Sequence, residues 1–412
     1  MNRREFLKSA GLAAGASFLS GIVPESLWSK IPAGIKITKL KTFAVESMVF
    51  VKIYTNQGVE GLGEGSLGGS NFSVEARIKD LERILIGQDP TNIEFLWQAM
   101  FRWPRSRGGP VSNSAISAIE IALWDIMGKL TEVPIYKLLG GAARDRVRLY
   151  AHAYAKTPEA LKDVVAKLKA DGFTAIRTGL NFTSFDVIKR PWNLKLGVEF
   201  IKALREGAGD DTDILDDAHG LMTPVMALEY AKAIEPYRLM FLEDPTKPED
   251  IEGLEWIGKH TSVPLAIGED NYTKLGFKDI IFRHLASYVR PDVIHAGGIL
   301  ECKKIGTMAE TNFMDMALHV APSPVSNLAS VHIAACTPNC VIVENTGRPG
   351  RRAEWVADLF NGEDIVITNG YAALPEKPGL GCELNEKVAA EHPYKASDPP
   401  HMKYEDGSIS DW

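Results

Sequence analysis

Asp217, Glu243 and Glu269 stand at equal intervals of 26 residues, and each closes a short apolar segment: DILDD, LMFLED and PLAIGED. An interval of that size fits one strand, one helix and their loops. Consecutive parallel strands that each end in a carboxylate bring three oxygen ligands to one rim of a barrel, a donor set suited to a hard divalent cation, here Mg²⁺. Each of the three has an acidic neighbour, Asp216, Asp244 and Asp270, so the register can be tested. Moving the triplet back by one residue gives Asp216, Leu242 and Gly268; moving it forward gives Ala218, Asp244 and Asp270. Only the register at 217, 243 and 269 places a carboxylate on every strand, and the neighbours are expected to face away or to open the following loop.

Further reactive groups fall on the same expected rim. His219 lies two residues beyond Asp217, on the same face if the strand continues. Asp292 closes the segment in VRPDVIHAGG, His319 closes MDMALHVAP, and Glu344 closes CVIVEN. An aspartate facing a histidine from the neighbouring strand fixes the tautomer and raises the basicity of the imidazole, so Asp292 and His319 form a candidate dyad. His295, just past Asp292, competes for the partner role. His332 and His284, expected on helices, and His260, expected in a loop, are read as structural.

These groups need a scaffold that repeats. From Val147 onward, β-rich runs end near Ala153, Arg177, Asp217, Glu243, Glu269, Asp292, His319 and Glu344, with amphipathic helices such as Glu159 to Lys169 and Met222 to Ile234 between them. Alternating strands and helices at this rhythm predict a parallel α/β barrel over residues 147–350. Residues 31–146 read as a smaller α+β domain. Alternating stretches between Ile35 and Glu64 meet at Asn56-Gln57-Gly58, and helical patterns cover Val74 to Leu85, Ile93 to Phe101 and Ala115 to Leu139. Residues 351–412, with a Pro/Gly-rich stretch at Pro375 to Gly381, are expected to pack back on the smaller domain.

At 412 residues, a barrel plus one further domain is the natural division. The net charge of −7 argues against a nucleic-acid surface and a polybasic membrane patch, which leaves a small molecule as the expected partner. The four cysteines contain no CxxC. The Cys336/Cys340 pair, spaced as if on one helix in an apolar segment, reads as buried thiols. Asn2-Arg3-Arg4-Glu5-Phe6-Leu7-Lys8 followed by the small and apolar stretch Gly11 to Val23 resembles a twin-arginine export signal, too short to span a membrane as a stop-transfer helix. Residues 1–30 are therefore set apart from the fold, and a periplasmic location is expected, with a cytoplasmic one as the alternative.

The chain resembles the enolase superfamily, its mandelate racemase/muconate lactonizing enzyme-like branch, and within it the galactonate dehydratase type of acid-sugar dehydratase. The residues that carry this are D-A-H at Asp217 to His219, FLEDP at Phe241 to Pro245, GED at Gly268 to Asp270, RPDVIHAGGILECKKI from Arg290 to Ile305, His319, KPGLG at Lys377 to Gly381 and the terminal EDGSISDW. The resemblance implies a (β/α)7β TIM-like barrel under an α+β N-terminal capping domain, with Mg²⁺ on Asp217, Glu243 and Glu269. A sugar acid is the implied substrate and a homo-oligomer the expected assembly. His319, oriented by Asp292, is the implied base, as enolase-superfamily sites use a Lys or His base with Mg²⁺. His219 is the implied acid for the departing 3-hydroxyl, and Glu344, carrying or sharing a proton, a hydrogen-bond partner of the substrate carboxylate. The product is a 2-keto-3-deoxy acid.

One departure bears on the reaction. Racemases of the family carry Lys-x-Lys at the second strand, where this chain reads Arg177-Thr178-Gly179, so a second-strand lysine base is absent and two-base racemisation is disfavoured. Gly179 also departs from the Lys-x-Asn common in galactonate dehydratase-like enzymes. The choice of sugar is assigned to loops at Ala44 to Phe50 and Trp103 to Gly109. Alternatives are a one-base isomerase or cycloisomerase of a sugar acid or anhydro-sugar acid, and an exported sugar-acid binder without turnover. A metal-dependent hydrolase would want His-x-His where the chain has His152-Ala153-Tyr154, and a Schiff-base aldolase would want a strand-end lysine.

Overall fold

The structure, a computed structural model, describes residues 27–179, 187–188, 194–321, 323–345, 353–396 and 402–410. The arginine pair and the apolar stretch after it lie outside the described residues, as do the last two residues of EDGSISDW. Among the described residues no helix is long and apolar enough to cross a membrane.

Ile37–Val45, Met48–Thr55 and Glu60–Glu64 pair antiparallel in that order. Successive side chains on a strand face opposite ways, and the central strand is apolar on both sides. Its Val49, Val51 and Ile53 join the core of the cap, whereas Met48 and Phe50 join a second core that continues into the barrel. The cap sheet is thus a layer shared by two cores.

The third strand lies directly on the long helix Pro110–Thr131. A Cβ on Gly63 would stand 1.9 Å from the Ala118 carbonyl oxygen and one on Gly61 2.0 Å from that of Ala122, so only glycine permits this approach. The helix starts on Pro110, whose missing N–H is no loss in a first turn. The helical pattern from Ala115 to Leu139 divides in two. Glu132 takes a left-handed conformation (φ 57°), and Pro134 precedes a separate short helix, Ile135–Leu138.

Eight parallel strands follow: Arg146–His152, Ala175–Gly179, Asp213–Asp217, Phe241–Glu243, Leu265–Ile267, Tyr288–Val289, Asp315–Leu318 and Cys340–Glu344. They pair in chain order, and the eighth closes on the first through Val343 opposite Leu149 and Glu344 opposite Tyr150. Two strands end earlier than the sequence reading by two residues or more, and the second runs two residues further, to Gly179. The fifth stops at Ile267 and the sixth at Val289, because Gly268 (φ 146°) and Pro291 interrupt the extended backbone. A single bridge between Asp292 and His319 restores contact beyond the sixth strand. Tyr150, Ala175, Leu215, Phe241, Ala266, Ala317 and Ile342, one from each of seven strands, pack as the barrel's interior, with Tyr288 of the sixth strand against them.

Cys336 ends the helix Pro324–Cys336 while Cys340 opens the eighth strand, so they do not share a helix. All four cysteines are free and buried. His260 is the last residue of the helix Ile251–His260, and His284 follows the short helix Lys278–Phe282 in a left-handed conformation. The tail makes two sets of contacts. The strand Tyr371–Ala373 extends the barrel sheet antiparallel to Arg146–Arg148. Beyond it, Leu380 N–H bonds Asp125, Glu386 bonds Lys52 and Tyr54, and Pro393 bridges to Val45, all four partners lying in the cap.

Candidate active site

Strand alternation builds the site. Two residues beyond each interior side chain the same face reaches the rim, which places His152, Arg177, Asp217, Glu243, Arg290, His319 and Glu344 in one polar layer above the apolar one. The fifth strand would break this parity, since Gly268 occupies the matching place and Glu269 should face outward. The unusual backbone at Gly268, where a Cβ would meet the Phe277 ring at 2.5 Å, redirects the chain so that Glu269 turns in. Oxygens of Asp217, Glu243 and Glu269 then lie within 4.8 Å of one another. An all-carboxylate set converging this closely, two members fully buried, fits a hard divalent cation.

The acidic neighbours point elsewhere. Asp216 is buried against the helix Pro224–Ile234 and accepts a hydrogen bond from Tyr230 Oη (2.7 Å), and burial raises its pKa to about 7. Asp244 begins the following loop with φ 37°, and Asp270 is exposed.

Two arginines that the sequence reading left without a role stand among the ligands. Arg177 Nη1 is 2.5 Å from Asp217 and 3.0 Å from Glu243, and its Nη2 is 3.5 Å from Glu344. Arg290, fully buried, places Nη2 2.7 Å from Glu243, 2.9 Å from Tyr150 Oη and 3.3 Å from Glu344. They supply the positive charge without which buried carboxylates at this spacing would repel each other. Burial opposes ionisation of Asp217, yet Arg177 and His219 outweigh it and hold its carboxyl well below the usual range. The signal that finds both arginines is parity: each is two residues past an interior position.

Glu344 is ringed by Arg177, Arg290, His152 (2.6 Å) and the Val320 N–H (3.2 Å). Burial would raise its pKa, but Arg177, His319 and His152 drive it well below the carboxylate range. These donors make Glu344 an acceptor, and its 2.6 Å contact with His152 is one across which a proton can be shared.

His319 Nδ1 lies 2.6 Å from Asp292 Oδ2, with Nε2 3.4 Å from Glu269 and 3.7 Å from Glu344. The Asp292 contact makes Nδ1 a donor and leaves Nε2 toward the triad. Burial lowers the His319 pKa, but the carboxylates of Glu344 and Glu269 raise it well above the ordinary value. His295 is not the partner of Asp292; its Nδ1 meets Ser114 Oγ of the cap helix at 2.8 Å. His219 reaches the site differently from the extended continuation expected for it. The third strand ends at Asp217, His219 takes φ 48°, and both its backbone N–H (2.9 Å) and its Nδ1 (3.0 Å) approach Asp217 Oδ1. Burial lowers its pKa, and Asp217 more than reverses this, to about 9. The third and seventh strands are four places apart in the closed ring of eight, so His219 and His319 approach from opposite sides.

A closed parallel barrel with a carboxylate triad, a His–Asp dyad and a second histidine across the mouth defines a class of barrel enzymes that work at an acidic carbon. Residues 159–388 match the family described as enolase C-terminal domain-like, and residues 22–140 match the mandelate racemase/muconate lactonizing enzyme N-terminal domain. The chain belongs to that branch of the enolase superfamily. It is 34% identical to the D-galactonate dehydratase of Pectobacterium atrosepticum over 383 residues, 92% of this chain and 100% of the relative, and 34% identical to that of Ralstonia pickettii over 386 residues, with the same coverage. Its fold matches an enolase from Pantoea ananatis, solved with bound D-gluconate and Mg, with a TM-score of 0.85 at 32% identity over 91% of this chain and 99% of that one. A mandelate racemase/muconate lactonizing enzyme from Jannaschia sp. CCS1 matches with a TM-score of 0.82 at 31% identity over 89% and 99%.

Proposed function

We propose that this protein is a Mg²⁺-dependent sugar-acid dehydratase that converts an aldonate of the galactonate kind to a 2-keto-3-deoxy acid. The observation that carries the reading is the His319–Asp292 pair at 2.6 Å beside the Asp217, Glu243 and Glu269 triad. The similarity to D-galactonate dehydratases supports the substrate class, and the gluconate and Mg of the Pantoea protein support both ligands.

Asp217, Glu243 and Glu269 would hold the cation. When bound, it would neutralise charge that builds on the substrate carboxylate as the α-carbon loses its proton. His319 takes the C2 proton on Nε2, and Asp292, bonded at Nδ1, stabilises the imidazolium that results. The electron pair left at C2 moves toward the carboxylate. On its return the C3–O bond breaks, and His219 gives a proton to the departing hydroxyl, which leaves as water. Acid catalysis of this kind is worth roughly 10²–10⁴-fold. The enol tautomerises to the 2-keto acid. The buried Arg177 and Arg290 keep the carboxylates ionised and in place throughout.

Incubation of the purified protein with Mg²⁺ and a panel of mono- and disaccharide acids, read as 2-keto acid by semicarbazide absorbance, tests this directly. A sugar acid is expected to yield a keto product with loss of water. An isomer formed without loss of water would replace the dehydratase by an isomerase. The twin arginine further supports export of the enzyme as a folded protein. Changing Arg3 and Arg4 together to Lys is expected to retain active enzyme in the cytoplasm, and unchanged fractionation would remove the periplasmic assignment.

A further inference from the structure

The loop after the sixth barrel strand is tied to the cap by a row of side-chain hydrogen bonds. Ser114, Ser117 and Glu120 recur at helical spacing on one face of the long cap helix. Ser114 Oγ meets His295 Nδ1 (2.8 Å), Ser117 Oγ accepts from Gly297 N–H (2.9 Å), and Glu120 accepts from Ile299 N–H (2.7 Å) and Leu300 N–H (2.9 Å). A fifth bond runs from Trp97 Nε1 to the Gly297 carbonyl (2.8 Å). The helix is itself seated by backbone contact, since a Cβ on Gly61, Gly63 or Gly65 would meet the carbonyl of Ala122, Ala118 or Ser114. The position of His295 is therefore set by the cap helix as well as by its own loop.

His295 stands inside the catalytic neighbourhood without a role in the mechanism above. It follows Asp292 by one turn, its N–H bonds the Asp292 carbonyl (3.1 Å), and it interacts electrostatically with Asp292, His319, Asp270 and Glu269. Asp292 makes its side-chain hydrogen bonds elsewhere, Oδ2 with His319 and Oδ1 with the Ile294 N–H. Ile294, Ala296 and Ser114 are fully buried, whereas His295 is only partly so, and its Nε2 lies on the ring edge away from the Nδ1 that meets Ser114. Among the described residues no hydrogen bond is made to that edge. Burial also pushes the imidazole below its ordinary pKa, keeping it neutral near pH 7.

We propose that His295 is a specificity-determining residue, positioned by Ser114, whose Nε2 hydrogen-bonds a hydroxyl of the sugar acid beyond the reacting C2 and C3. This rests on the sugar-acid reading above. A neutral imidazole suits the task because it can pair with a hydroxyl in either direction, and a buried polar group left unpaired by the wrong stereoisomer penalises that isomer.

The test compares wild type with His295→Asn, His295→Gln and Ser114→Ala, all with Mg²⁺ present. Calorimetry measures the binding of a 3-deoxy aldonate, which cannot eliminate, and of lactate, which has no hydroxyl beyond C3. Kinetics on the turned-over sugar acid and its C4 and C5 epimers gives kcat and KM. The histidine variants should bind the 3-deoxy aldonate about 3–10-fold more weakly, the worth of one neutral hydrogen bond. They should bind lactate as wild type does, raise KM more than they lower kcat, and narrow the preference between epimers. Ser114→Ala should show the same pattern at smaller size. Unchanged aldonate affinity, or an equal loss for lactate, overturns the proposal, the second by making His295 a support of the dyad. A wild type that turns over no sugar acid overturns the functional reading instead.

Discussion

His319, half-buried, and His332, fully buried, both lie near the barrel, and their surroundings push them in opposite directions. At the barrel mouth His319 sits among Asp292, Glu269 and Glu344, and those charges outweigh the desolvation that would lower its pKa. At the seam between the helix Pro324–Cys336 and the tail, His332 donates from Nε2 to the Leu380 carbonyl (3.0 Å) and accepts at Nδ1 from the Tyr136 N–H (3.3 Å), and burial lowers its pKa to about 4. Burial alone thus says little about what a histidine does. Carboxylate company makes a proton carrier, whereas backbone company makes a neutral clamp joining three segments of chain.

The largest effect expected from this contrast is on catalysis. His319→Asn should abolish both dehydration and exchange of the α-proton with solvent deuterium. His219→Asn should lose dehydration, by roughly 10²–10⁴-fold, yet retain exchange, since the base and the triad remain. Exchange that survives in His319→Asn, with dehydration intact in His219→Asn, would reverse the two roles.

Metal affinity comes next. Glu243→Gln removes one of three converging carboxylate ligands, and Mg²⁺ affinity by calorimetry should fall by more than the roughly 10–100-fold typical of losing an outer-shell partner. Chelation should likewise remove activity. Full turnover by the stripped protein would detach the triad from the reaction.

The seam should respond in stability alone. His332→Ala should cost about 1–3 kcal/mol in denaturant unfolding, because the Tyr136 N–H and the Leu380 carbonyl are left buried without it, with kcat unaltered. The pH dependence follows from a folded-state pKa below the unfolded one. The unfolded chain binds the proton more readily, so this stability is complete above the ordinary histidine value of 6.5 and is lost as pH falls from there toward about 4. The loss is on the order of 3 kcal/mol in wild type. An equally steep acid loss in His332→Ala would move its origin to other groups.

The parts of this protein that could be read from its sequence are those governed by local rules. Strand alternation and the interval of 26 residues gave the ligand types, their register and the parallel barrel, because each depends on neighbours a few residues apart. What failed was local geometry that a single residue overrides: the left-handed turn at His219, the kink at Gly268 that turns Glu269 inward, and the break of the cap helix at Glu132 and Pro134.

Tertiary structure alone decided which side chains meet. Arg177 and Arg290 become counter-ions of the triad only once the barrel closes, and closure is also what brings Arg177, Arg290 and His152 around Glu344. Ser114 and His295 are 181 residues apart. No periodicity in the chain connects them, because their contact depends on how the cap helix seats against three glycines and then against the barrel. Sequence spacing sets which face of an element a side chain occupies, but which partner that face finds is settled by packing between elements, and a charged group acquires its protonation state only there.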